Sequence, residues 1–136
     1  MRPGDSLELS AGPTILLAED DLTQRLLYTR ILMGSGYYVI CAANGDEAML
    51  SARRDQPNLI LMDVTMPGTS GWAAARELKD DPATRHIPII LMTGLTGDEA
   101  ERAAADAGCD SFLPKPLPVR TLLSTVERFC PPGSPG

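Results

Sequence analysis

Five short runs of continuous apolar residues, each followed by a stretch of helical periodicity, constrain this chain more than any other feature. The runs are Ile15–Ala18, Tyr37–Cys41, Leu59–Met62, Ile89–Met92 and, more weakly, Ser111–Leu113. They have strand length and are apolar at consecutive positions, which implies strands covered on both faces. Between and after them the apolar spacing changes to three and four. Val119, Leu122, Leu123, Val126, Phe129 and Cys130 form one such stripe, and Ala100, Ala103, Ala104 and Ala107 form another. In the first helix Leu22, Leu26 and Met33 share a face, broadened by Leu27 and Ile31. Gly34-Ser35-Gly36 ends that helix and Gly108 the fourth; Asn44-Gly45-Asp46 opens the second and Ser70-Gly71 the third. Strand and helix thus alternate five times. Such a chain forms parallel pairs joined by right-handed crossovers, with helices on both faces. The expected fold is α/β, a doubly wound five-stranded parallel sheet of (βα)5 topology.

The 136 residues, 43% hydrophobic and 22% charged, fit one domain with its own core. Residues 14–130 hold all five repeats. Residues 1–13, with Pro3, Gly4, Gly12 and Pro13, read as a flexible N-terminal segment. Residues 131–136 are all Pro, Gly and Ser and read as a tail or linker stub. No apolar run approaches the ~18 residues of a membrane span, and Met1–Pro13 lacks the apolar block of a secretory signal. Cys41, Cys109 and Cys130 are odd in number and far apart, which fits neither a disulfide framework nor a zinc site and suits a reducing cytoplasm. They read as small apolar fillers, with Cys109 the most exposed. A net charge of −6 argues against contacts along a nucleic-acid duplex. The expectation is a cytoplasmic protein that binds neither nucleic acid nor membrane.

Open parallel sheets place their sites at the carboxyl ends of the strands. Strand one ends there in Glu19-Asp20-Asp21, strand three in Asp63 and strand four in Thr93, while strand five runs into Lys115-Pro116. Clustered carboxylates repel one another and need a cation. Oxygen ligands with only one or two carboxylates suit Mg²⁺. The lysine and the hydroxyl remain free for an incoming anion. Acids, amine and hydroxyl on one rim are the equipment for phosphoryl transfer to a carboxylate.

Over residues 14 to 130 the chain resembles the receiver domain of two-component response regulators, in particular the single-domain chemotaxis and cell-cycle type. The motifs that carry the resemblance are Leu17-Ala18-Glu19-Asp20-Asp21, Asn44-Gly45-Asp46-Glu47-Ala48, Leu61-Met62-Asp63-Val64-Thr65-Met66-Pro67, Gly71, Leu91-Met92-Thr93-Gly94 and Lys115-Pro116. The resemblance implies a flavodoxin-like receiver fold with Asp63 as phosphoacceptor. It implies Mg²⁺, or Mn²⁺ in its place, held by Asp20, Asp63 and the backbone carbonyl of Thr65, with Glu19 assisting through water. It makes Thr93 and Lys115 ligands of the phosphoryl oxygens, and Thr93 and Phe112 the switch pair. It implies a commonly cis Lys115-Pro116 bond, and Gly94 as the small residue that leaves the donor room. The partners implied are a histidine kinase or phosphotransfer protein, and a downstream protein target on the face of the fourth helix, fifth strand and fifth helix. The sequence departs from the commonest family pattern in three places. Phe112 replaces a frequent Tyr, and Thr65 and Leu95 stand where longer or more polar residues are frequent; the last two positions tune acyl phosphate hydrolysis in the family.

Plainer readings exist for single residues. An acid pair such as Asp20-Asp21 caps helices, Thr93 can do the same, Lys115 can be a solvated lysine and Phe112 can be core. Their placement at the strand ends weighs against these readings for the acids, Thr93 and Lys115. His86 reads as a surface loop residue and Trp72 as a cover for the sheet. Two rival functions remain at this point. One is a pseudo-receiver, an interaction module that never needs phosphate; intact acid, Thr and Lys positions argue against it. The other is a small aspartyl-phosphate hydrolase. Asp63-Val64-Thr65 is similar to the haloacid-dehalogenase step, which needs a second Asp where this chain has Thr65. Thr93-Gly94-Leu95-Thr96-Gly97 is similar to a flavodoxin phosphate loop but follows the fourth strand, not the first. No G-x-x-x-x-G-K-[ST] cradle for nucleotide phosphates is present.

Overall fold

The computed structural model describes residues 12–133. Residues 1–11 of the expected flexible segment and 134–136 of the expected tail lie outside that range. The element order is β1 (Thr14–Ala18), α1 (Leu22–Gly34), β2 (Tyr38–Ala42), α2 (Gly45–Asp55), β3 (Leu59–Asp63), α3 (Gly71–Asp80), β4 (Ile89–Thr93), α4 (Gly97–Ala107), β5 (Ser111–Pro114) and α5 (Val119–Phe129). All strand pairs are parallel and the order is β2-β1-β3-β4-β5. This is the doubly wound (βα)5 fold expected from the alternation.

Continuous apolarity has the physical cause the sequence suggests: both faces of the sheet are covered. Leu16, Ile60, Met62, Ile89 and Leu91 pack toward Ala48, Ala52, Ala74 and Leu78 of α2 and α3. Their neighbours Ile15, Leu17, Leu59, Leu61, Ile90 and Met92 pack toward Tyr28, Leu32, Leu122 and Val126 of α1 and α5. Every residue of β3 and β4 is buried. Each fully buried Leu, Ile or Met contributes roughly 1.5–3 kcal/mol relative to exposure, so the central strands hold the rim above them rigidly. Small residues on α4 (Ala100, Ala104 and Ala107 are buried) let that helix pack against α3.

The structure corrects three details. The apolar face of α1 marked by Leu22, Leu26 and Met33 is not its packing face. Those residues and Leu27 are all more than half exposed, and Tyr28 and Leu32 are buried instead. Apolar residues run most of the way round α1, so spacing alone does not select a side; the side that meets β1 and β2 is the one buried. β2 is an edge strand, paired only with β1, and Tyr38 and Cys41 are exposed on it. Cys41, not Cys109, is therefore the exposed cysteine; Cys109 is half-buried and Cys130 buried. At the opposite end of the sheet from the acids, Pro13 is buried and its carbonyl accepts the Tyr38 N–H at 3.0 Å. His86 is exposed, and Trp72 packs half-buried against the α2–α4 side of the core.

Candidate functional site

The strand order reverses at β1, which lies between β2 and β3. Connections leave to opposite faces there, and a crevice opens above the strand ends. Glu19 and Asp20 follow β1, and Asp63 ends β3. One carboxylate oxygen from each of the three lies within 4.8 Å of the others. Glu19 is 1% exposed and Asp63 3%, whereas Asp20 is open to solvent. Lys115, reaching in from the end of β5, donates to Asp63 Oδ2 at 2.7 Å and stands 3.7 Å from Glu19 Oε1. The Lys115-Pro116 peptide is cis.

Local geometry separates the two adjacent aspartates. Asp21 is the N-cap of α1: its Oδ2 accepts the Gln24 N–H at 3.0 Å, satisfying an otherwise orphaned donor. Asp20 is left to face the crevice cluster. Glu19 is fixed by three contacts. Its N–H donates to the Ala42 carbonyl at 3.0 Å, its Oε2 accepts the Asp21 N–H at 3.1 Å, and its carbonyl accepts from Arg25 Nη1 at 2.9 Å. Arg25 is a contributor that sequence reasoning missed. The available signal was its place one turn into α1, facing back toward the strand end.

Asp63 Oδ1 accepts the Thr65 N–H at 3.0 Å, so the loop after β3 folds back over the acceptor. Gly71 is required beneath it. A Cβ there would stand 2.4 Å from the Asp63 carbonyl oxygen, closer than atoms pack. Thr93 is completely buried, with its Oγ1 accepting the Leu95 N–H at 3.0 Å. Phe112 is half-buried on β5, directly across from Leu91. Gly94 is exposed, and a Cβ on it would meet nothing within 4 Å. The fold thus gathers Glu19, Asp20, Asp63 and Lys115 into one cluster. It places the Thr65 backbone and Thr93 at the cluster's edge and Phe112 on the neighbouring strand.

Electrostatics mark the cluster as short of positive charge. Burial pushes the Glu19 carboxyl up to about 6, and the nearby Asp63 and Asp20 charges add to the rise, while the Asp21 N–H and Lys115 oppose it. Burial alone would lower the Lys115 ammonium, but the hydrogen bond and charge of Asp63 outweigh it and hold it above the ordinary lysine value. Among the described residues, Glu19 Oε1 is buried without a hydrogen-bond partner. Three converging carboxylates, one with an unpartnered oxygen, fit a hard divalent cation bound through oxygen.

A pH signature follows. The folded protein holds the Glu19 proton more tightly than the unfolded chain, so the Glu19 contribution to metal-free stability falls as pH rises from about 4.5 to about 6. The fall is on the order of 1–2 kcal/mol. Glu19→Gln is expected to remove that part of the slope, measured by urea unfolding in chelator on either side of the window. An unchanged slope would mean that Glu19 is not the desolvated acid of the cluster.

The family described as the response regulator receiver domain matches residues 15–127. This chain belongs to the response regulator receiver family. The receiver is 34% identical over 116 residues to the polar-differentiation response regulator DivK of Brucella anthropi, covering 85% of this chain and 94% of DivK. It is 39% identical over 113 residues to the response regulator PleD of Caulobacter vibrioides, covering 82% of this chain but 25% of PleD. Among solved structures it superposes on the receiver domain of the sensor histidine kinase PA1611 from Pseudomonas aeruginosa. The TM-score is 0.80 at 32% identity, covering 88% of this chain and 98% of that one. That structure is described as having a magnesium ion coordinated in the active site cleft. As a receiver the chain is a phosphorelay signalling domain. No helix among the described residues is long and apolar enough to cross a membrane.

Proposed function

We propose that Asp63 is the phosphoacceptor of this receiver and that Mg²⁺ is its cation. The observation that carries the reading is the buried Asp63 carboxylate, gripped by Lys115 at 2.7 Å and faced by Glu19 and Asp20. Asp20, Asp63 and the Thr65 carbonyl would hold the cation, Glu19 acting through water, and Mn²⁺ would serve the same oxygen set. When bound, Mg²⁺ supplies positive charge against the phosphoryl oxygens. Asp63 Oδ2 attacks the phosphorus of a phosphohistidine donor. The new O–P bond forms as the P–N bond breaks, and its electron pair leaves on the imidazole nitrogen. Lys115 neutralises charge on the transferring oxygens, and Thr93 takes one of them after rotating from the Leu95 N–H. The small, open Gly94 position gives the donor its approach. The receiver accepts one phosphoryl group and does not turn over phosphomonoesters. The experiment is incubation with acetyl phosphate and Mg²⁺. Intact mass should show one phosphoryl gained, and none in chelator. Repeated turnover of p-nitrophenyl phosphate would favour a hydrolase instead.

The donor is a histidine kinase or phosphotransfer protein, placing the receiver in the cytoplasm. Its docking surface would be the apolar face of α1, because Leu22 and Leu26 lie exposed in the two turns that follow Asp20. The output surface would be α4, β5 and α5, where Val119 is exposed and Phe112 only half-buried. Phosphorylation draws Thr93 inward and vacates space for the Phe112 ring, a population shift between two packings. Without a hydroxyl, Phe112 relies on burial, worth up to about 1.5–3 kcal/mol for such a side chain. One set of variants separates the faces. Leu26→Asp should slow transfer from a phosphohistidine protein and leave the acetyl phosphate rate unchanged. Phe112→Ala should leave both rates unchanged while cancelling phosphorylation-induced amide shifts in α4; shifts that persist there would reject the switch.

A further inference from the structure

We infer that the Asn44-Gly45-Asp46 turn is a positioning element for the metal-binding loop, holding it through Thr69. This deepens the proposed cation site and rests on it. The loop between β3 and α3 runs from Val64 to Ser70 and contains Thr65, whose carbonyl would be a cation ligand. Its near end is pinned by the Thr65 N–H on Asp63 Oδ1 and by Met66, which is buried in the core. Its far end is held by a different element. Thr69 Oγ1 donates to Asp46 Oδ1 at 2.8 Å, joining residues 23 apart in sequence. The two turns touch backbone to backbone at the same place. A Cβ on Gly45 would stand 2.2 Å from the Thr69 carbonyl oxygen and 3.1 Å from the Thr69 Cβ. Only glycine at 45 lets the loop seat against the start of α2.

The turn is itself made rigid. Asn44 caps α2 by accepting the Glu47 N–H at 2.8 Å, and Glu47 reaches back to the Ala43 N–H at 2.9 Å. The second bond goes to the residue before the cap rather than to the cap itself, and ties the entering chain to the first turn of α2. Asp46 therefore projects from a capped helix start, and the loop after β3 is tied to it. A loose loop would have to be ordered each time a cation bound, at a cost in affinity; a clamped loop has that cost met on folding. Asp46 and Thr69 stand outside the Glu19–Asp20–Asp63 cluster and would act through the Thr65 carbonyl.

The test is Mg²⁺ titration of the whole protein, followed by amide NMR shifts at residues 63–66, with thermal melts in chelator alongside. Thr69→Val, which keeps shape and loses the hydroxyl, should weaken Mg²⁺ binding about three- to tenfold with little change in melting temperature. Thr69→Ser should restore it. Asp46→Asn keeps an acceptor oxygen and should bind nearly as the wild type does, whereas Asp46→Ala should match Thr69→Val. Gly45→Ala should speed hydrogen exchange at 64–69 in metal-free protein. Wild-type affinity in both Thr69→Val and Asp46→Ala overturns the clamp. Equal losses in Asp46→Asn and Asp46→Ala overturn it too, because charge and not the hydrogen bond would then be responsible. If the wild type takes up no Mg²⁺, or Asp20→Ala takes it up unchanged, the cation site itself fails and the clamp with it.

Discussion

Asp63→Asn is expected to abolish phosphorylation by acetyl phosphate in Mg²⁺, read as loss of the single phosphoryl gain in intact mass. The amide oxygen carries no negative charge and is a poor nucleophile, while its size and shape leave the pocket filled. No neighbouring acid can replace it. Glu19 is as deeply buried but is tied by its Oε2 to the Asp21 N–H, and Asp20 lies open to solvent on the outer side of the cluster. Lys115, which would deliver charge to the transferring group, is seated on Asp63 and stands 1.0 Å further from Glu19, 3.7 against 2.7 Å. A phosphoryl group that persists in Asp63→Asn would place the acceptor elsewhere.

The second large effect separates two adjacent aspartates. Asp20→Ala should weaken Mg²⁺ binding at least about 100-fold, since changing even an outer partner of a metal site costs about 10- to 100-fold and Asp20 would be a direct ligand. Asp21→Ala should leave Mg²⁺ affinity within about twofold and cost about 1 kcal/mol of stability, the usual value of an N-cap. The physical basis is the hydrogen bond that commits Asp21 Oδ2 to the Gln24 N–H. Mg²⁺ titration with urea melts of both variants checks the pair. Equal metal affinities would dissolve the distinction and with it the ligand assignment.

Sequence-level reasoning reached the site because its signals are local. Each polar residue of the cluster directly follows an apolar strand run, and parallel strands put all such ends on one rim. The same reasoning placed Asp20 and Asp21 side by side without telling which caps the helix, since that depends on the backbone angles of one turn. Asp21 adopts extended backbone ahead of α1, and its side chain turns to the helix. On the rim the acids read as bare mutual repulsion. Lys115 compensates Asp63 across 52 positions, which changes the charge balance of the site.

The sequence by itself determined the five strands, their parallel pairing, the five helices that cover them and the identity of the residues on the rim. These follow from patterns of period one and of three to four, which a linear chain displays. The tertiary structure decided which side of α1 is buried, that β2 is an edge, that Glu19 is sealed while Asp20 is open, and that Asp46 meets Thr69. Each of those depends on which elements become neighbours once β1 settles between β2 and β3. Neighbours brought together by strand order leave no periodicity in the chain that carries them.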